Sequence, residues 1–418
     1  MLRESDVVVV GGGIAGAALT AVLAANGVSV TMLERQESYR DIVRGEVLMP
    51  WGVAEAIRMG LGERLYEGGA WTLRWWRLWD ETVSIDEAPF IDLSTNAIPG
   101  VEGPVTLSHY QTCAAFNAAA RAAEADVVHG VHDVKLDLDG AHPVVTFGSP
   151  DGEQSIRTRL VVGAGGRNGR IGKQAGIAIE GEWHHWGGGL LVEGLDEWPD
   201  DTQAMGTEGD NMFFIFPQGG GRARLYLNYR QETAAQFSGP QKVANFLSAF
   251  NLTSVPGSEE IAAARPIGPM ACYPSLSSWA KFEPFVDGVV LAGDEAGMCD
   301  NILGTGLANA LRDTRIISDI LLESRDWSAA AFKPYAEERA ERMKRMHLCA
   351  NLMAKLWAEF GDEARARRRR ALDLMRNNPG YALFLLVALN GPEALPDARF
   401  VDYLSDRLLD GEVSRVAS

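Results

Sequence analysis

Near the start of the chain, Gly11-Gly12-Gly13-Ile14-Ala15-Gly16 sets glycines at Gly-x-Gly-x-x-Gly spacing. The acid Glu34, followed by Arg35, comes at about the 20-residue separation of a dinucleotide fingerprint. Each glycine has a mechanical task if the partner is a dinucleotide. Gly11 permits the tight turn, Gly13 lets the backbone approach a pyrophosphate, and Gly16 lets a helix pack on a strand. Ala15 lies in the same turn, where a helix start would aim free N–H groups and a positive dipole end at phosphates. Glu34 would accept hydrogen bonds from a ribose, and its charge disfavours a 2′-phosphate. The pattern therefore implies FAD or NAD rather than NADP, and leaves those two open.

For these residues to act together, a strand must deliver the turn and a helix must leave it. Residues 6–10 read as a buried parallel strand, 17–26 as an Ala-rich helix and 28–33 as a second strand, a complete βαβ unit. A helix is expected over 53–65, and the Trp-rich segment 71–79 suits an extended strand on which the chain leaves this unit. Residues 112–125 read as a helix, 127–134 and 144–147 as strands, 148–153 as a turn, and 159–162 as an apolar strand ending in glycines. From 183 to 269 the pattern is mainly strands, with one helix at 241–250. A strand at 288–292 and a helix at 306–322 return to the first unit, which is therefore discontinuous. The remainder reads as helical, with Met346, Ala350, Met353, Trp357 and Phe360 at core spacing.

Three further stretches separate FAD from NAD. Arg44-Gly-Glu-Val-Leu-Met-Pro50 precedes the helix ending at Gly60-Leu61. Leu160-Val-Val-Gly163-Ala-Gly-Gly166-Arg167 closes the 159–162 strand. Gly293-Asp294-Glu-Ala-Gly297 is followed by Gly304-Thr-Gly306-Leu307-Ala-Asn309 and Asp313. Over about residues 5–345 the chain resembles the flavoprotein aromatic hydroxylases, the single-component group A FAD monooxygenases.

The resemblance implies an α/β fold: a discontinuous Rossmann-like FAD-binding domain (1–70, 106–180 and 284–327), a second, mainly β-sheet substrate domain (71–105 and 181–283) and a C-terminal helical region (328–418). It implies that Arg44 reaches the flavin and that Asp294 hydrogen-bonds the ribityl chain. Gly304, Gly306 and Leu307, at the next helix N-terminus, would face the flavin pyrimidine edge, where a helix dipole stabilises negative charge. The sequence departs from the family in three places. Gly165 stands where an aspartate is usual, Gln111 occupies the position of a flavin-contacting arginine, and Asn301 that of a common proline. Phe214, Phe216 and Pro217 fall where related enzymes place substrate, although alternate residues on a strand face opposite ways.

The activity implied is insertion of one oxygen atom from O2 into a small aromatic substrate by way of a flavin C4a-hydroperoxide, with NADH or NADPH as transient reductant. The alternatives are a reductase or halogenase of the same fold, a non-catalytic flavin-binding protein, and a plain NAD-dependent dehydrogenase. The Trp-x-Trp-x-Ile element of halogenases is absent from the sequence. No catalytic base can be named.

Other clusters carry weaker expectations. His129 and His132 lack further spaced ligands, so no metal site is expected. His184-His185 suit either a substrate pocket or packing, as do Trp71, Trp75, Trp76 and Trp79. The arginines of 365–370 read as a solvated helix face. With 39 Lys and Arg against 56 Asp and Glu, the net charge of −17 disfavours nucleic acid and anionic membranes. The four cysteines are far apart and suggest neither zinc nor disulfides, which fits a cytoplasmic protein. Residues 7–10 are too short for a signal-peptide core and 381–389 too short for a membrane span.

Overall fold

The computed structural model describes residues 2–410. Its first sheet is built around Arg3–Val10, which pairs in parallel with Gly152–Gly163 on one side and Val30–Glu34 on the other. Asp126–His129 adds beyond Val30–Glu34, and Val289–Leu291 beyond Gly152–Gly163, both parallel. Val7, Val8, Val9, Leu160, Val161 and Val162 have no exposed surface, because helices cover one face and an antiparallel extension the other. The helix Ile14–Ala25 leaves directly from the glycine turn. It lies close to the strand because a Cβ on Gly16 would stand 1.8 Å from the Gly11 carbonyl oxygen.

The second sheet runs Arg265–Pro266, Ile179–Glu193, Arg222–Tyr229, Asn211–Pro217, Thr202–Glu208, Trp75–Asp80 and Phe90–Asp92, with Ala271–Ala280 also paired to Ile179–Glu193. Its strands alternate. Phe213, Ile215, Leu225 and Leu227 pack into a separate core with Phe246, Phe250 and Ile261, while Phe214, Phe216 and Tyr226 face the first sheet. Helices from Lys333–Trp357 to Ala398–Ser405 close over both. Among the described residues, no helix is long and apolar enough to cross a membrane.

Several boundaries differ from expectation for local reasons. The 53–65 helix is two, Pro50–Arg58 and Gly62–Glu67, because Gly60 adopts φ 73° between them. The 71–79 segment is split between two sheets, as Trp71–Thr72 and Trp75–Asp80. The 127–134 strand breaks at Gly130, φ 72°. The arginine run is not simply a solvated face. Arg368 is 1% exposed, its Nε lying 2.6 Å from Asp80 and its guanidinium bonded to Glu81 at 2.8 Å, so this helix is pinned to the second sheet. A periodic charge pattern could not reveal partners nearly 290 residues away.

Candidate functional site

The carboxyl ends of four parallel strands open onto one cavity of about 960 Å³. This is where open α/β sheets bind ligands, and the volume lies at the upper end of the roughly 300–1,000 Å³ typical of ligand pockets. Gly11, Gly13, Ala15, Glu34, Arg35, Arg44, Asp294, Gly304, Gly306 and Leu307 all line it. Gly11 makes the turn at φ +111°, a conformation in which a side chain would strike the Ala164 carbonyl. Gly16 does not line the cavity; its place is the contact of helix with strand.

Two helices begin at the cavity, Ile14–Ala25 and Gly306–Glu323, and neither N-terminus has a side-chain cap. A Cβ placed on Gly13 or on Gly306 would meet no protein atom within 4 Å and would occupy cavity space. Each start thus offers uncapped N–H groups and a positive dipole end to a ligand, which the absence of a side chain on these glycines lets approach the backbone. Glu34 ends its strand with Oε2 accepting from Gly12 N at 2.6 Å and Oε1 from Gln36 N at 2.7 Å. Its carboxylate is therefore fixed at the cavity edge. Tyr39 braces the same turn, donating to the Gly12 carbonyl at 2.6 Å and receiving Asn117 Nδ2 at 3.1 Å.

At the opposite end of the turn system, Asp294 faces the cavity, and among the described residues no side-chain hydrogen bond reaches its carboxylate. Burial raises its carboxyl above the usual range, against the pull of Arg339, Arg44 and Arg167. An acceptor without a protein donor, beside a glycine-opened helix start, suits a hydroxylated chain. Taken together, the two helix starts, the fixed Glu34 and the free acceptor Asp294 fit FAD laid along the cavity.

The loop bearing Asp294 is held by Asp313, the last acid of its motif, and by two arginines that the sequence alone did not single out, Arg339 and Arg342. Asp313 has no exposed surface; it accepts from Gly293 N at 2.9 Å and pairs with Arg339 at 3.1 Å and Arg342 at 2.6 Å. Burial pushes the Asp313 carboxyl up, but the two guanidinium groups outweigh it and hold the group below the usual range. Arg339 also donates to the Gly297 carbonyl at 2.7 Å.

Glu295 takes up the space that Gly165 leaves. Its Oε2 accepts from Gly165 N at 2.6 Å, and its Oε1 from Ile171 N at 2.8 Å and Gly172 N at 3.2 Å. Burial raises its carboxyl, against those three donors. A Cβ on Gly169 would stand 2.1 Å from Glu295 Cδ, so an acid supplied from the 293–297 loop requires glycine across from it. In the sequence, Glu295 stands beside Asp294 and Gly165 replaces an aspartate, but nothing local joins two positions 130 residues apart.

Gln111 lies apart from the other expected cofactor residues. It is exposed, bonded to the Tyr110 hydroxyl at 3.2 Å, and does not line the cavity. The helix starts at His109, three residues earlier than expected, which turns His109, Tyr110 and Cys113 to the cavity and Gln111 outward. His109 is pushed down to about 4 by burial and by Arg44, so it is neutral at pH 7.

At the second sheet, Phe214 and Phe216 line the cavity, their rings stacked at 5.6 Å, with Tyr226 edge-on to Phe216 at 6.0 Å. Pro217 lies apart from them: being out of phase, it is buried away from the cavity, and its carbonyl accepts from Thr106 Oγ1 at 2.5 Å. Of the tryptophans, Trp76 lines the cavity, while Trp75 stacks on Phe90 and Trp79 packs on Trp198. Met353, Leu385, Ala388 and Leu389 of the C-terminal helices add an apolar wall. His129 is occupied structurally, with Nδ1 2.8 Å from the Gln36 carbonyl.

Comparison with known proteins agrees with this geometry. The family model described as FAD binding domain matches residues 4–348. Digeranylgeranylglycerophospholipid reductase 2 of Methanopyrus kandleri is 25% identical over 88% of this chain and 91% of its own. Ubiquinone hydroxylase UbiL of Rhodospirillum rubrum is 24% identical over 94% and 92%. Among solved structures, p-nitrophenol 4-monooxygenase PnpA of Pseudomonas putida superposes with a TM-score of 0.77 over 98% of both chains at 16% identity, a likeness of fold. With well over half of its length matched, the chain belongs to the FAD binding domain family and is an FAD-dependent oxidoreductase of the flavoprotein monooxygenase group.

Proposed function

We propose that the protein inserts one oxygen atom of O2 into a small hydrophobic aromatic substrate, with NADH or NADPH as reductant. The observation that carries this reading is the aromatic face of Trp76, Phe214, Phe216 and Tyr226, which shares one cavity with Asp294 and the Gly306 helix start. Planar rings pack well on such a face, at centroid separations of about 4.5–7 Å. The apolar wall of Met353, Leu385 and Leu389 supports a substrate that also carries an aliphatic part, as the ubiquinone hydroxylase relative suggests.

Bound FAD would supply the redox chemistry, taking hydride from the nicotinamide and activating oxygen. The chain's own residues bind, orient and exclude water. Gly11, Gly13, Ala15 and Gly16 would shape the pyrophosphate site, Glu34 with Arg35 would hold the adenosine ribose, and Asp294 the ribityl hydroxyls. The N-terminus at Gly304, Gly306 and Leu307 would favour negative charge on the ring beside it, with Arg44 adding a positive charge. Phe214 and Phe216 would seat the substrate ring. The division into an FAD-binding domain (1–70, 106–180, 284–327), a substrate domain (71–105, 181–283) and a C-terminal helical region belongs to the same reading.

A second reading, reduction of a prenyl double bond, is favoured by the same apolar wall and by the reductase relative. Turnover under ¹⁸O2 with phenols, including prenylated ones, separates the two. One ¹⁸O atom in the product is expected; a product that gains two hydrogens and no oxygen would replace the first reading with the second.

A further inference from the structure

A cluster of polar side chains behind the cavity wall is left without full partners. Ile179–Glu193 pairs with Ala271–Ala280 so that Trp183 opposes Leu276 and His185 opposes Ser275, leaving His184 as an extra residue. Such a bulge re-aims the side chain that follows it. His185 is 5% exposed, and its Nε2 makes no hydrogen bond and lies 3.6 Å from Asp300 Oδ1. Asp300 is equally enclosed. Its Oδ1 accepts from Ser275 Oγ at 2.7 Å and from Ile302 N at 2.9 Å, whereas Oδ2 accepts nothing. Ser275 Oγ also reaches Asn301 Oδ1, and Asn301 Nδ2 lies 3.4 Å from Asn228 Oδ1. Ser275, Asn301 and Tyr273 line the cavity, while His185 and Asp300 lie behind them. An imidazole and a carboxylate buried with orphaned atoms are destabilising, and an arrangement retained against that cost calls for a use.

We propose that Ser275, Asp300 and His185 form a proton relay that draws the hydroxyl proton of a phenolic substrate out of the cavity. This rests on the hydroxylase reading of the site. The substrate O–H bond breaks as its proton passes to Ser275 Oγ; the serine's own proton passes to Asp300 and onward to His185 Nε2. The electron pair stays on the substrate oxygen and enriches the ring. Ser275 ends neutral, Asp300 ionised and His185 as imidazolium, so charge and protons balance without any further reactant.

Ser275 would be the catalytic contact, with Asp300 and His185 as positioning residues acting through it. The titratable and charged groups around the cluster are His184 on the bulge, Asp300 and Cys299 on the loop, Tyr273 and Cys272 on the neighbouring strand with Arg167 facing Tyr273, and His347 and Arg339 from the helix Lys333–Trp357. Asn228 and Asn301 are the neutral polar neighbours. Burial holds His185 below its usual range, with Asp300 pulling the other way, so the imidazole begins neutral and is able to accept.

The test uses the full chain loaded with FAD. Histidine ¹⁵N NMR follows His185, identified among the seven histidines by its loss in His185→Gln. Its midpoint should lie below about 6.5, fall by roughly one further pH unit or more in Asp300→Asn, and stay within about half a unit in Ser275→Ala, since that change leaves the pair intact. The phenol probe is 4-nitrophenol, whose bound ionisation is read by difference absorbance. Its apparent pKa should rise by about one unit in both His185→Gln and Ser275→Ala. A His185 midpoint indifferent to Asp300→Asn, or a bound probe that ionises identically in all variants, overturns the relay. Wild-type protein that holds FAD but takes up no 4-nitrophenol overturns instead the phenolic reading on which the relay rests.

Discussion

The two ends of the cavity are made of different material. The proposed flavin end is made largely of backbone: Gly11, Gly13, Gly304 and Gly306 open it, two helix starts charge it, and the side chains proposed to add chemistry are few, namely Glu34, Arg35, Arg44 and Asp294. The substrate end is made of side chains brought from distant parts of the chain, with Trp76, Phe214, Tyr226, Ser275, Met353 and Leu389 meeting across two sheets and the C-terminal helices. The difference matters for specificity. A backbone site tolerates little change and suits a constant cofactor, whereas a side-chain site can be re-cut without disturbing it.

Substitutions can break this contrast, and the largest effect is expected where side chains do support the flavin end. Asp313→Asn removes the carboxylate that Arg339 and Arg342 share and should lower stability by about 3–5 kcal/mol in urea unfolding, since it leaves buried charges unpaired. Because the Asp313 carboxyl is depressed in the folded chain, its contribution is complete above the ordinary carboxylate value near 4 and disappears as pH falls through the lower folded value. The wild type should therefore lose stability on acidification through that window, with a flatter profile in Asp313→Asn.

Gly13→Val comes next. Its backbone, φ −70° and ψ −169°, accepts any residue, and its Cβ meets no protein atom. The apo chain should thus keep its melting temperature while FAD affinity falls at least 100-fold, about 2.7 kcal/mol. Equilibrium dialysis with FAD measures this, and undiminished binding would refute the backbone account. Glu295→Ala, which strands the buried N–H groups of Ile171 and Gly172 and releases that of Gly165, should cost about 2 kcal/mol and loosen FAD. Phe214→Ala should raise the KM for substrate roughly tenfold with FAD affinity unchanged; loss of FAD there would erase the distinction between the two ends. Gln111→Ala should alter FAD affinity by less than about 0.5 kcal/mol.

The same contrast explains how far the sequence could be read. Glycine spacing, strand-to-helix order and Glu34 are local, so the first sheet could be placed from the sequence, and Gly11, Gly13, Asp294 and Gly306, expected at a flavin, line one cavity. Gln111 was expected just ahead of its helix, but the helix begins at His109 and includes it in the first turn, on the exposed side. Pro217 lies off the cavity through the two-residue alternation of its strand, which puts the neighbouring phenylalanines on it. Glu295, Arg339, Arg342 and the His184 bulge could not be read, because their partners are fixed only by tertiary packing. The Gly165 departure was visible, but its compensation by Glu295, from 130 residues away, was not.

The central claim is that this cavity holds a redox-active FAD. The visible spectrum of the protein reconstituted with FAD, followed anaerobically on adding NADH or NADPH with a phenol present, tests it most directly. Flavin bands that remain with the protein through gel filtration, bleach on reduction and return with oxygen are the predicted result. No flavin band after reconstitution would contradict the account.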